Sequence, residues 1–199
     1  MHDHALHRKQ VKHYYEPGQL HELTFSCYQR RPLLTNEAWR LLLCRAIDRA
    51  VERHAGGLAA FVLMPEHVHL LVLPTPGDFS IPSLLKAIKR PYSFRIKRLL
   101  EQTGSPLLHE LTVRQRPGTM TFRFWQEGPG YDRNIARVES ALAAIEYLHL
   151  NPVRRDLCRR AVDWRWSSAR WFDSDMAEVD PELPRFAPLP SEWLDSPEN

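Results

Sequence analysis

The order of hydrophobic patterns along the chain predicts an α+β protein of the ferredoxin-like sandwich type: an antiparallel sheet with helices on one face, plus a C-terminal extension. Two observations predict it. Short runs of β-formers and longer stretches of helical period follow one another as strand, helix, strand, strand, helix, strand, helix. The 199 residues are 43% hydrophobic, enough for one buried core, and no internal repeat suggests an array.

The first strand is read in LHELTFSCY (20–28), which alternates loosely and runs into a basic turn at Arg30, Arg31 and Pro32. Asn36 is placed to cap a helix bearing Trp39, Leu42, Leu43, Ala46, Ile47 and Ala50, which Gly56 and Gly57 end. LAAFVLM and VHLLVLP flank Pro65, Glu66 and His67 and read as a hairpin. Ile81 to Glu101 repeats Leu84, Leu85, Ile88, Ile96, Leu99 and Leu100 among many bases, a basic amphipathic helix that Pro91 should disturb. The stretch 102–120 has no clear pattern. TFRFWQ (121–126) is expected to be the last strand, and Asp132 to cap a helix with Ile135, Val138, Leu142, Ile145 and Leu148 on one face, stopped by Pro152.

Charge divides the chain. Residues 173–199 hold eight acids, one base and five prolines, whereas the rest is strongly basic, a balance that suits a nucleic-acid partner. The expected segments are an N-terminal arm (1–19), a domain (20–153), a docking segment (154–172) and an acidic, proline-rich tail (173–199). The tail could be solvated, or could fold back over the basic face as a tethered competitor of substrate. Cys27, Cys44 and Cys158 are odd in number, far apart and outside any CxxC pair, which argues against a disulfide framework or a cysteine zinc site. With no apolar run of about eighteen residues and no secretory signal, the chain reads as cytoplasmic and without a membrane partner. His2, His4, His7 and His13 lie in the arm, where adventitious metal binding is the expected role.

Two segments carry chemistry. In MPEHVHLLV (64–72), His67 and His69 lie two apart and share one face of an apolar strand, so both imidazoles can reach one metal ion; one packing and one at the edge is the plainer alternative. In EYLHLNPV (146–153), Tyr147 and Asn151 lie four apart on a helix and share a face. Asn151 offers an oxygen suited to a hard metal, and Tyr147 a hydroxyl that becomes a nucleophile once deprotonated; equally, Tyr147 could pack half-buried and Asn151 could cap the helix. Because a tyrosine hydroxyl ordinarily titrates near pH 10, it needs a base or cation beside it to act at neutral pH.

The strings MPEHVHLLV, RFWQEG, YDRNI, EYLHLNPVRRDL and DWRWSS, in that order, resemble the single-tyrosine HUH transposases of small insertion sequences, above all the REP-associated tyrosine transposases, over roughly residues 20–170. The resemblance implies that His67, His69 and Asn151 hold Mg2+ or Mn2+, and that Tyr147 attacks a phosphate of single-stranded or hairpin DNA. A covalent 5′-phosphotyrosine and a free 3′-hydroxyl result. It also implies a ferredoxin-like fold, and a monomer or a homodimer.

Other residues compete for these roles. Tyr92, among bases, is the alternative nucleophile. Arg30, Arg31, Arg114, Arg116, Arg123 and the bases of 86–98, Lys86, Lys89 and Arg90 among them, are candidates for phosphate contacts, and Tyr92, Phe94, Trp125 and Tyr131 for stacking on bases. Glu66 could orient a histidine. Two rival functions remain: a domesticated, non-catalytic DNA- or RNA-binding regulator, and a metal-dependent hydrolase in which water replaces tyrosine.

Overall fold

Strand β1 (Leu20–Ser26) sits in the middle of a four-stranded sheet, between β3 (His67–Leu73) and β6 (Tyr131–Ile135), with β2 (Gly57–Leu63) outside β3. The computed structural model describes residues 19–74, 79–128, 130–175, 177, 179–187 and 189. All three pairings are antiparallel, and the order β2-β3-β1-β6 is that of a ferredoxin-like sandwich.

Alternation along the strands divides the core in two. Leu23, Phe25, Phe61, Val68, Leu70 and Val72 face helices α1 (Glu37–His54) and α2 (Ile81–Thr103), which pack side by side. Leu20, Val62, Leu71 and Ile135 face the other way, against Ala141, Ala144, Ile145 and Leu148 of α4 (Val138–Arg154). α1 and α2 thus share one face, as expected. α4 adds a layer on the opposite one, because β2 and β3 are apolar on both sides and each face needs a cover.

Three local expectations are corrected. The fourth sheet strand is YDRNI, not TFRFWQ: β6 reads polar because it is an edge strand and sends only Ile135 into the core. Asp132 therefore lies inside β6, where Oδ1 is 3.1 Å from His21 Nδ1, and Arg137 is the N-cap of α4. Part of TFRFWQ instead belongs to β5 (Thr119–Phe122), which pairs with β4 (Thr112–Arg116) in a separate hairpin after the short helix α3 (Leu107–Glu110). Finally, α2 runs unbroken through Pro91, whose ring is on the solvent side, where water can take the carbonyl left unpaired.

Beyond α4 the chain covers the free edge of β2. Leu63 N–H donates to Trp166 O at 2.8 Å, Ser168 N–H to Phe61 O at 3.1 Å, and Ala187 N–H to Leu58 O at 3.0 Å. Arg165, in the stretch leading to α5 (Ala169–Asp173), gathers Glu37, Asp180 and Glu182 at 2.7–2.9 Å, and Phe186 stacks on Phe61 with ring centroids 5.6 Å apart. The expectation of a tail over the basic face is corrected for its described part: Asp180 and Glu182 are bound to Arg165, and the apolar residues between them and Ala187 pack on the body. Trp193, Leu194 and the histidines of the arm lie outside the described residues. Among the described residues no helix is long and apolar enough to cross a membrane.

Candidate active site at one end of the central strands

The register of β3 on β1 sets Ser26 opposite His67 and Thr24 opposite His69, so both histidines emerge on the face that α4 covers. Their Nε2 atoms face each other at 2.9 Å. Each ring is held from behind: His67 Nδ1 lies 3.1 Å from Glu66 Oε1, and His69 Nδ1 lies 2.8 Å from Thr24 Oγ1. A carboxylate can only accept, so His67 Nδ1 donates and its Nε2 keeps a lone pair. Thr24 can donate or accept, so His69 can take either tautomer. With its proton on Nδ1, two lone pairs converge.

Electrostatics keeps the pair neutral. Burial lowers His69 to about 3, helped by the neighbouring His67, and burial lowers His67 as well against the pull of Glu66. Burial alone would raise Glu66, but His67 and Arg155 outweigh it and hold the carboxyl below its ordinary range. Neutral imidazoles with their second nitrogens anchored to a carboxylate or hydroxyl are the form in which histidine binds metal.

The donor set fits a metal ion. Two bonds of about 2.1 Å at a right angle set nitrogens about 3 Å apart, near the separation observed; a tetrahedral angle would need about 3.4 Å. Among the described residues no group of three His, Cys, Asp or Glu side chains forms around the pair.

The end of α4 reaches this pair through Glu66. Tyr147, Asn151 and Arg155 follow one another at four-residue spacing along the flank of the buried face, and Arg155 Nη1 lies 2.8 Å from Glu66 Oε1. Tyr147 is 49% exposed, and Arg154 stands 4.6 Å above its ring. Asn151 explains how the helix passes Pro152, which was expected to stop it. Proline removes the N–H that Leu148 O would accept, and Asn151 Nδ2 reaches back to Tyr147 O at 3.0 Å and Leu148 O at 3.4 Å. The helix continues to Arg154, which keeps Arg155 over Glu66.

The other candidates scatter. Arg30 comes within 3.9 Å of Glu66 Oε1, beside the pair. Arg31 pairs with Glu110, and Arg123 with Glu127 at 2.8 Å. Lys86, Lys89 and Arg90 lie on α2, which packs on the other face of the sheet; Lys89 sits 4.9 Å over the Phe25 ring, and burial lowers it to about 8. Tyr92 is 2% exposed, wedged against Phe124 and Trp125, and burial raises its hydroxyl well above the usual range, so it is neither an accessible nucleophile nor a base-stacking surface. Trp125 is buried in the same cluster, which removes it too as a stacking surface. Sequence reasoning missed Thr24, Arg154 and Arg155. The two arginines carried a signal, one and two helical turns beyond Asn151 and Tyr147 in spacing; Thr24 carried none, because cross-strand register is not written in local pattern.

Residues 18–110 match the family of transposases described as IS200-like. That stretch contains His67 and His69 and ends before Tyr147 and Asn151. A REP-associated tyrosine transposase of Escherichia coli (strain K12) is 22% identical over 168 residues, 84% of this chain and 85% of the relative. Among solved structures, that of a REP-associated tyrosine transposase bound to a REP hairpin matches with a TM-score of 0.61 and 19% identity, covering 90% of this chain and 99% of the other. The fold is therefore shared along almost the whole chain. The likeness read from the motifs is borne out: the chain is similar to the IS200-like transposases over residues 18–110, and to a REP-associated tyrosine transposase over most of its length.

Proposed function

We propose that the protein is a single-strand DNA endonuclease and strand transferase with Tyr147 as nucleophile and hairpin or repeat DNA as substrate. The observation that carries this reading is the convergence of His67 and His69 Nε2 at 2.9 Å, joined through Glu66 and Arg155 to the helix end that bears Tyr147. The solved relative bound to a REP hairpin supports the choice of DNA.

His67, His69 and Asn151 would hold Mg2+ or Mn2+, which when bound polarises a phosphate and stabilises its added charge. Arg154, 4.6 Å above the Tyr147 ring, holds the ring by a cation–π contact, and Arg30 and Arg155 supply positive charge for the phosphate. Tyr147 Oη forms the new bond to phosphorus while the bond from phosphorus to the 3′ oxygen breaks. The phenol proton leaves to solvent and the 3′ oxygen takes one up, giving a 5′-phosphotyrosine and a 3′-hydroxyl. One phosphodiester replaces another, so the step reverses without a nucleotide cofactor.

End-labelled hairpin DNA with a single-stranded extension tests the polarity. A 3′-labelled strand should give a protein-linked band on a denaturing gel in Mn2+, and a 5′-labelled one only a shortened free strand. Label on the protein from the 5′ end, or free cleavage from both ends, would contradict the assignment.

A further inference from the structure

A ferredoxin-like sandwich needs only a turn between its second helix and fourth strand, yet this chain inserts residues 104–130 there, including the β4–β5 hairpin. From Leu111 to Gln126 it carries three arginines and no acid. Its root is fixed: Leu111 and Phe124 are buried, Arg123 N–H donates to Leu111 O at 2.7 Å, and Thr112 Oγ1 donates to Leu108 O at 2.6 Å. Its tip turns through Pro117 and Gly118, the latter at φ +76°, where a side chain would be strained.

The two faces of this ribbon differ. Gln115 accepts from the Thr121 hydroxyl at 2.8 Å on one. Arg114 lies on the other, opposite Met120, which is 60% exposed, and past a register shift Arg116 pairs with Thr119 next to the tip. Among the described residues neither arginine joins an ion pair, whereas Arg31, Arg123, Arg133, Arg155 and Arg165 all do. An exposed thioether opposite one free guanidinium, with a second near the tip, is poorly explained as a solvated face.

Position adds to this. After the hairpin, Tyr28 N–H donates to Phe124 O at 2.8 Å and Gln126 N–H to Ser26 O at 2.9 Å, and Ser26 is the residue opposite His67. The ribbon therefore springs from the end of the sheet that carries the histidine pair. A B-DNA major groove, about 12 Å wide, admits a two-stranded ribbon. Strands of four and five residues give an arm of roughly 15 Å at about 3.3 Å per residue.

We propose that the β4–β5 hairpin is a grip for a duplex DNA stem, laying Arg114 and Met120 into the major groove with Arg116 at the tip against the phosphates, beside the single strand presented to Tyr147. This rests on the strand-transfer reading above and names the part of the substrate that the insertion recognises. Single strands lack that groove, and the major groove of an RNA stem is too deep and narrow for side chains to read.

The test uses the full chain without metal, measuring fluorescence anisotropy with a DNA hairpin bearing a single-stranded extension, an unstructured strand of equal length, and the RNA counterpart of the hairpin. The wild type should prefer the DNA hairpin over both. Arg114→Ala/Arg116→Ala should weaken hairpin binding about 10-fold or more and reduce its salt slope by up to about 2, leaving the unstructured strand unchanged. If that variant melts early, Met120→Glu on the same face should give the same selective loss. Equal losses on hairpin and unstructured strand, unaltered hairpin binding in both variants, or no wild-type preference over single strand or RNA would overturn the proposal. Adduct formation on the unstructured strand, assayed separately with Mn2+ added, reads the strand-transfer chemistry: it survives if only the grip is wrong, and it is absent despite a hairpin preference if only the chemistry is wrong.

Discussion

Arg155 Nη1 lies 2.8 Å from Glu66 Oε1, the same oxygen that His67 Nδ1 meets at 3.1 Å, so one carboxylate joins the end of α4 to the start of the histidine strand. Tyr147 and the histidine pair come from elements far apart in sequence, and this junction fixes their relation.

Glu66→Gln should therefore keep the fold but lose the negative charge that holds His67 Nδ1 and Arg155 together. Losing a carboxylate behind a metal-binding histidine commonly costs 10–100-fold in metal affinity, and that loss is expected for Mn2+ by isothermal titration. An unchanged affinity would remove Glu66 from the orienting role.

Asn151→Ala removes the side-chain donor that Pro152 makes necessary. A fall of about 1 kcal/mol in stability is expected from the two lost hydrogen bonds. Cleavage should slow, but less than in His67→Ala or His69→Ala, because water can replace one oxygen ligand. A wild-type cleavage rate would remove Asn151 from the site.

Much of this was legible beforehand, for identifiable reasons. The period-two placement of His67 and His69 and the four-residue step from Tyr147 to Asn151 are local rules, and both residue pairs fall on the faces those rules give. What failed needed non-local knowledge. YDRNI became a strand because the edge of β1 was open to it, not because its own sequence is β-forming. Tyr92 stands among lysines and arginines in the sequence, yet its helix turns it into the core against Phe124 and Trp125. Asn151 beside Pro152 looked like a helix end, and the amide that carries the helix onward shows only in three dimensions.

His149 should make stability fall in acid. It is buried with Nε2 2.8 Å from Ser168 Oγ, and burial lowers it to about 4. The folded chain keeps it neutral while the unfolded chain takes up a proton below about 6.5, so the stability it contributes above that pH is lost as pH falls from about 6.5 to about 4. The loss amounts to about 3 kcal/mol. Urea unfolding at pH 7.5 and 4.5 should show a smaller acid loss in His149→Gln than in the wild type; equal losses would show that His149 is not the group responsible.

The described part of the tail should behave as structure. Phe186 stacks on Phe61 and meets Trp171 at 5.0 Å, and Ala187 bonds the edge of β2. Phe186→Ala should cost about 2–3 kcal/mol by chemical denaturation, and truncation after Phe172 should lower the Tm rather than simply tighten DNA binding. A truncated chain with wild-type Tm and higher affinity for single strands at low salt would instead restore the reading of the tail as a competitor.

The central claim is that Tyr147 is the nucleophile beside the His67–His69 pair, and Tyr147→Phe tests it most directly, because it removes one hydroxyl and leaves the ring under Arg154. With 3′-labelled hairpin DNA and Mn2+, the wild type should give a protein-linked band on a denaturing gel. Tyr147→Phe should give none while binding the same DNA with equal affinity. A band that persists in Tyr147→Phe would contradict the assignment, and free nicked DNA from that variant, lost in His67→Ala, would point to water as the nucleophile instead.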